Sequence, residues 1–163
     1  MNSFDDIPQE MKELPQWVAR VDKIPINPNS LYGAKSTDKT SWGTFEQAKA
    51  AIGKKAKMKA VQGKECNGIG FVLSAPYCGI DIDHCFNPET DEWSKEALDI
   101  IKNMNSYTEV SPSGTGVHIF YKNDGNTHTE WNKKKPIDSI QHLEMYQTCL
   151  LYTSDAADDT PCV

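Results

Sequence analysis

The sequence predicts an α+β fold: a mixed, largely antiparallel sheet with flanking helices. Three observations lead there. Short runs of apolar and β-branched residues recur along the chain, bounded by Gly, Pro, Asn and Asp, the pattern of strands and turns. Two segments, after Thr44 and Ser94, place apolar residues at helical spacing behind an N-cap. Several of the strands are joined by short turns, and such turns connect antiparallel neighbours.

The elements follow in order. Ile7 to Leu14 carries Pro8 near its start and predicts a short helix that ends before Pro15. Gln16 to Val21 is apolar and β-branched, hence a strand. Ile24 to Asn29 is punctuated by Pro25 and Pro28, so it is extended or turning. Lys35 to Lys39 is loop. Thr44 caps a helix with Glu46 and Gln47 in its first turn. That helix runs through Phe45, Ala48, Ala51 and Ile52 and stops near Gly53. Gly68 to Leu73 reads as a buried strand and Cys78 to Asp83 as another, and the two are expected to pair as a hairpin. Asn87 to Asp91 is loop. Ser94 caps a helix from Lys95 to Met104, with Ala97, Leu98, Ile101 and Met104 on one face. Thr108 to Val110 and Val117 to Tyr121 are strands around a glycine-bearing turn. Leu143 to Tyr146 is a last strand.

The chain has 163 residues, enough for one domain with a core. No apolar run approaches the roughly 18 residues of a membrane span. The start, Met1 to Asp6, is polar and acidic rather than a secretory signal. A cytoplasmic location and no membrane partner are expected. The five cysteines show no CxxC pairing, so a disulfide framework is not expected. The spacing of Cys66, Cys78, His84 and Cys85 does not suit zinc ribbons or fingers.

Net charge is -6, but the lysines are unevenly spread. Lys49, Lys54, Lys55, Lys57, Lys59 and Lys64 fall close together, and Lys133 to Lys135 form a second run. A local basic face can meet phosphates even when the sum is negative. Lysines alone serve equally well to solvate a helix face and a loop.

The last stretch stands apart. Cys149 to Asp158 reads like one frame of a transposase adapter used in sequencing libraries. Residues 149–163 are therefore expected to be a non-native tail, and residues 1–148 the domain, incomplete at its C-terminus.

Three constellations carry chemistry. Asp81 and Asp83 flank Ile82 on a strand, so both carboxylates share one face and Ile82 points to the opposite layer. Two acids on one face repel. A cation relieves them, and hard oxygen ligands suit Mg²⁺ or Mn²⁺. Alone, the pair equally fits two solvated acids at a strand end. Next comes Ser111-Pro112-Ser113-Gly114-Thr115-Gly116-Val117-His118. Small residues let backbone N–H groups approach an anion. The hydroxyls of Ser111, Ser113 and Thr115 add donors, and His118 follows on the outgoing strand. A plain hairpin turn before a packed histidine has the same composition. Last, Glu144 sits between Leu143 and Met145 on a strand. Buried there, it needs a metal or positive partner; on an exposed face it needs none.

Taken together and in this order, the motifs resemble the three-motif signature of the archaeo-eukaryotic primase superfamily. The chain looks most like the primase–polymerase domains of phages, plasmids and integrated elements. Leu14-Pro15-Gln16-Trp17-Val18, Ile24-Pro25-Ile26-Asn27-Pro28 and Trp42-Gly43-Thr44-Phe45 resemble that family's N-terminal run. Tyr107-Thr108-Glu109-Val110 leading into the Ser111 to His118 turn is the most similar segment. The resemblance covers nearly all of residues 10–147.

It implies an RRM-like catalytic core that joins nucleotides on a template. Asp81, Asp83 and Glu144 would then hold Mg²⁺ or Mn²⁺. Ser111, Ser113, Gly114, Thr115, Gly116 and His118 would bind the incoming nucleotide, with His118 contacting phosphate rather than abstracting a proton. The implied partners are nucleoside triphosphates, a single-stranded or primed DNA template, and a helicase domain or protein. The family's arginine after the third motif has no counterpart here, since Arg20 is the sole arginine. Two other readings stay open: a metal-dependent nuclease using the same acids, and a non-catalytic single-strand binding module.

Overall fold

The computed structural model describes residues 4–123, 134–137, 140–146 and 149–153, with side chains through 123 and at 143–146. It is α+β. The chain runs through α1 (Gln9–Lys12), β1 (Trp17–Val21), β2 (Ile24–Ile26), α2 (Phe45–Ala51), β3 (Gly68–Leu73) and β4 (Tyr77–Asp83). It continues through β5 (Phe86–Asn87), β6 (Glu92–Trp93), α3 (Lys95–Met104), β7 (Thr108–Val110) and β8 (Val117–Lys122). It ends with β9 (Lys134–Ile137), β10 (Ile140–Tyr146) and β11 (Cys149–Thr153). The strands form a four-stranded sheet, β11-β3-β1-β2, a five-stranded sheet, β7-β8-β4-β10-β9, and the β5-β6 ribbon. Every pairing among the described residues is antiparallel.

Two expectations fail. Leu98 does not join the apolar face of α3 that meets the sheet but is exposed. β3 and β4 do not pair as a hairpin. β3 lies between β1 and β11, and β4 lies between β8 and β10. The link Ser74-Ala75-Pro76 carries the chain from one sheet to the other. All six residues of β3 and six of the seven in β4 are buried. Each strand is thus an interior strand with two neighbours of its own, and no ladder edge is left over for the other.

Two helices begin as their caps dictate. The Thr44 hydroxyl accepts from the Gln47 amide while the Gln47 side chain accepts from the Thr44 N–H, a complete capping box. Ser94 accepts from the Ala97 amide, and α3 ends on Asn105 in the left-handed conformation.

The core has two parts that matter for the site. Trp17, Ile69, Phe71 and Leu73 from one sheet meet Tyr77, Phe120 and Tyr146 from the other, with Met11 and Phe45 alongside. Edge-to-face contacts of Trp17 with Phe45 and Phe71, all with centroids 5.0 Å apart, knit this cluster. On the opposite face of the five-stranded sheet, Ile80, Ile82, Val117, Ile119 and Leu143 pack with Ala97 of α3, and Ile100, Ile101 and Met104 lie against them. Arg20 is structural. It is buried on β1, lies across Gly68, and donates to the Asp22 carbonyl. Among the described residues, no helix is long and apolar enough to cross a membrane.

Candidate active site

Alternation along β4 sends Ile80 and Ile82 toward α3, which leaves Asp81 and Asp83 on the other face. The register of the five-stranded sheet then lines up a row. Glu109 of β7 lies opposite His118 of β8, His118 opposite Asp81 of β4, and Asp81 opposite Glu144 of β10. Directly opposed residues share a face and stand within side-chain reach. Asp83 lies one step further along, opposite His142. In the other direction Gly79 separates Phe120 from Tyr146, so the aromatic core walls off that end.

All four residues of the row are buried; Glu144 is 3 % exposed, Glu109 and His118 6 %, and Asp81 8 %. Asp83 is half-buried. Water alone therefore does not neutralise these acids, and buried charge demands a partner. His118 supplies part of it. Its Nε2 lies 3.6 Å from Asp81 Oδ1 and its Nδ1 lies 3.5 Å from Glu109 Oε1. Burial pulls the imidazole pKa down, but Glu109, Asp81 and then Asp83 outweigh it and hold the pKa above its ordinary value. Nearby, burial first and then the charges of Asp81 and Asp83 push the Cys85 thiol up to about 11, so it stays protonated near neutral pH.

The turn after β7 lies beside the end of β4 that carries Asp83. The Ser111 amide donates to the Gly116 carbonyl at 2.9 Å, and the Gly116 amide donates to Ser111 Oγ at 3.2 Å. The hydroxyls of Ser111, Ser113 and Thr115 form a chain, with spacings of 2.8 and 3.1 Å. Gly114 takes the left-handed conformation, φ +76°. Gly116 serves a different need. A Cβ there would stand 2.6 Å from the Ile82 carbonyl oxygen and 3.3 Å from Asp83 Cα. Its missing side chain lets the turn seat directly beside the acid pair.

The sequence-predicted residues thus fall into two adjoining groups. Asp81, His118 and Glu144 form one row, with Asp83 on the same face, and Ser111 to Gly116 form the turn beside them. Glu109 belongs to the row and was not among the expected site residues. The signal was present: a hairpin that pairs Val110 with Val117 necessarily pairs Glu109 with His118.

The donor set fits a hard divalent cation in chemistry, being carboxylate oxygen on one face. Among the described residues, no group of three or more His, Cys, Asp or Glu side chains is arranged to hold a metal. Asp81 and Glu144 stand opposite each other with Asp83 one step along, so a cation there would take its remaining ligands from water and substrate phosphates.

No family model matches the chain. The chain is 34% identical over 139 residues to the DNA primase-polymerase of Nitratiruptor phage NrS-1. The match takes in 82% of this chain and 18% of the relative, so the chain spans less than a fifth of that protein's length. Likeness at this level over four-fifths of the chain makes it a domain of the phage primase–polymerase type.

Proposed function

We propose that this domain carries the nucleotidyl-transfer site of a primase–polymerase, which adds nucleotides to a DNA strand on a template. The observation that carries the proposal is the buried row Glu109–His118–Asp81–Glu144, with Asp83 beside it. Four carboxylates and one imidazole gathered on one sheet face leave an excess of negative charge. Divalent cations would balance that excess, and the same cations would then draw in a nucleoside triphosphate.

Asp81, Asp83 and Glu144 would hold Mg²⁺ or Mn²⁺. When bound, the cation stabilises charge on the phosphates and makes the attacking hydroxyl more acidic. His118 offers Nε2–H as a donor at the same face and supplies positive charge for a phosphate oxygen. Beside it, Ser113 would contribute through the hydroxyl chain it forms with Ser111 and Thr115, while Gly114 and Gly116 shape the turn, their amides donating to the Ser111 carbonyl and Oγ. No protein base is required, because positioning and electrostatics supply most of the catalysis in phosphoryl transfer. A helicase module in a longer protein and a single-stranded or primed DNA template belong to the same proposal.

The test is calorimetric titration of a nucleoside triphosphate with Mn²⁺ into the full chain. The Asp81→Ala, Asp83→Ala double variant is run alongside, with circular dichroism to confirm that both are folded. Saturable binding that the double variant loses is expected. Binding that survives in the double variant would remove these acids from the site. DNA hydrolysis that needs the acids but no nucleotide would make the domain a nuclease instead.

A further inference from the structure

Glu109 is a charged residue on the edge strand of the five-stranded sheet, yet it is buried. Burying a carboxylate costs free energy that an apolar side chain at the same place would not. An apolar residue would also extend the neighbouring contact of Tyr107 with Phe120, whose rings lie 5.7 Å apart. Packing therefore gives no reason for an acid here.

The contacts of Glu109 suggest one. Its two oxygens are divided between two partners. Oε1 approaches Nδ1 of His118 at 3.5 Å, and Oε2 accepts a 2.9 Å hydrogen bond from the Tyr107 hydroxyl. Tyr107 is itself fixed, stacked on Phe120, and the Phe120 amide donates to the Tyr107 carbonyl. A chain of three side chains thus runs from the aromatic core to the imidazole. Its far end, Nε2, points at Asp81.

We propose that Glu109 is a positioning residue: anchored by Tyr107, it holds the His118 ring so that Nε2 faces the acid pair and the substrate's phosphates. The proposal rests on the nucleotidyl-transfer reading of the site. Glu109 itself touches no substrate. It acts by sparing His118 a choice of rotamers and by holding a proton on Nδ1, so that the doubly protonated ring turns its Nε2–H outward, as partners behind a ligand commonly do.

The test is a double-mutant cycle read by calorimetry of a nucleoside triphosphate with Mn²⁺ on the full chain. Glu109→Ala is expected to weaken binding about tenfold. Glu109→Gln, which keeps an acceptor for Nδ1–H and a group for the Tyr107 hydroxyl, should restore most of that loss. Tyr107→Phe keeps the ring and removes only the anchor, so it should give a smaller loss in the same direction. In a His118→Ala background, Glu109→Ala should cost nothing further, because its effect passes through the imidazole. Additive losses in that background would overturn the proposal, as would full binding by a folded Glu109→Ala. In either case the triphosphate site would stand. A folded wild type that binds no triphosphate would overturn both. If Glu109→Ala does not fold, the Tyr107→Phe and Glu109→Gln pair, each alone and with His118→Ala, decides the question.

Discussion

Gly116 and Gly114 stand two residues apart in one turn and are glycine for different reasons. At Gly114 the constraint is conformational, a left-handed backbone with open space around it. At Gly116 it is spatial, because the nearest obstacle to a side chain is the Ile82 carbonyl oxygen, which belongs to an interior strand and cannot swing away. Gly116→Ala is expected to destabilise by about 1–3 kcal/mol through overpacking. Gly114→Ala should cost roughly 1 kcal/mol of backbone strain. Urea midpoints measure both, and a larger loss at Gly114 would show that the turn does not press on β4 as the geometry says. Part of this was legible in the sequence. The Asp81–Asp83 alternation needed only a strand, and Ile82 does point to the opposite layer. Glu109 carries no local signal of its own; only pairing across the turn reveals that it meets His118.

At the scale of elements, local chemistry was the readable part. Thr44 and Ser94 cap α2 and α3 as their side chains demand. What local pattern does not carry is the partner of a strand. Two adjacent buried strands with a three-residue link look like a hairpin, and which sheet each joins depends on residues far along the chain. β3 is the instructive case. Its second neighbour is β11, with Leu150 opposite Val72 and Thr153 opposite Ile69. This is the stretch whose sequence reads like an adapter. An open strand edge accepts any extended segment whose backbone can complete the ladder, because the hydrogen bonds are blind to side-chain identity. A chain ending at Thr148 would leave the β3 edge unpaired. It is expected to keep its circular dichroism spectrum, melt at a lower temperature and self-associate through that edge, as size-exclusion chromatography would detect. An unchanged melting temperature with a monomeric profile would mean that β11 adds nothing to the fold.

At the scale of the whole molecule, a protein of net charge -6 must still meet a polyanion if it works on DNA. The segment from Gly53 to Cys66 offers a way. It is a framed loop: the Gly53 amide donates to the Cys66 carbonyl, the Cys66 amide to the Lys54 carbonyl, and the Ala56 amide to the Lys64 carbonyl, each at 2.8 Å. Ala56, Val61 and Cys66 anchor it in the core beside β1 and β2. What it turns outward is Lys54, Lys55, Lys57, Lys59 and Lys64, all exposed. Lys64 has a weak tie to Asp22 at 3.9 Å. Lysines on a framed loop keep a fixed charge pattern, which lowers the ordering cost of binding a phosphate backbone. Reversing Lys54, Lys55 and Lys57 to Glu is expected to weaken single-stranded DNA binding at least tenfold at low salt. Each lost contact should also flatten the slope of log affinity against log salt by about 0.7. Triphosphate binding at Asp81 and Asp83, which lie in the other sheet, should not change. Fluorescence anisotropy across a salt series reads the first two effects, and calorimetry the third. An unaltered slope would assign these lysines to keeping an otherwise acidic protein in solution, and the template would have to meet another face.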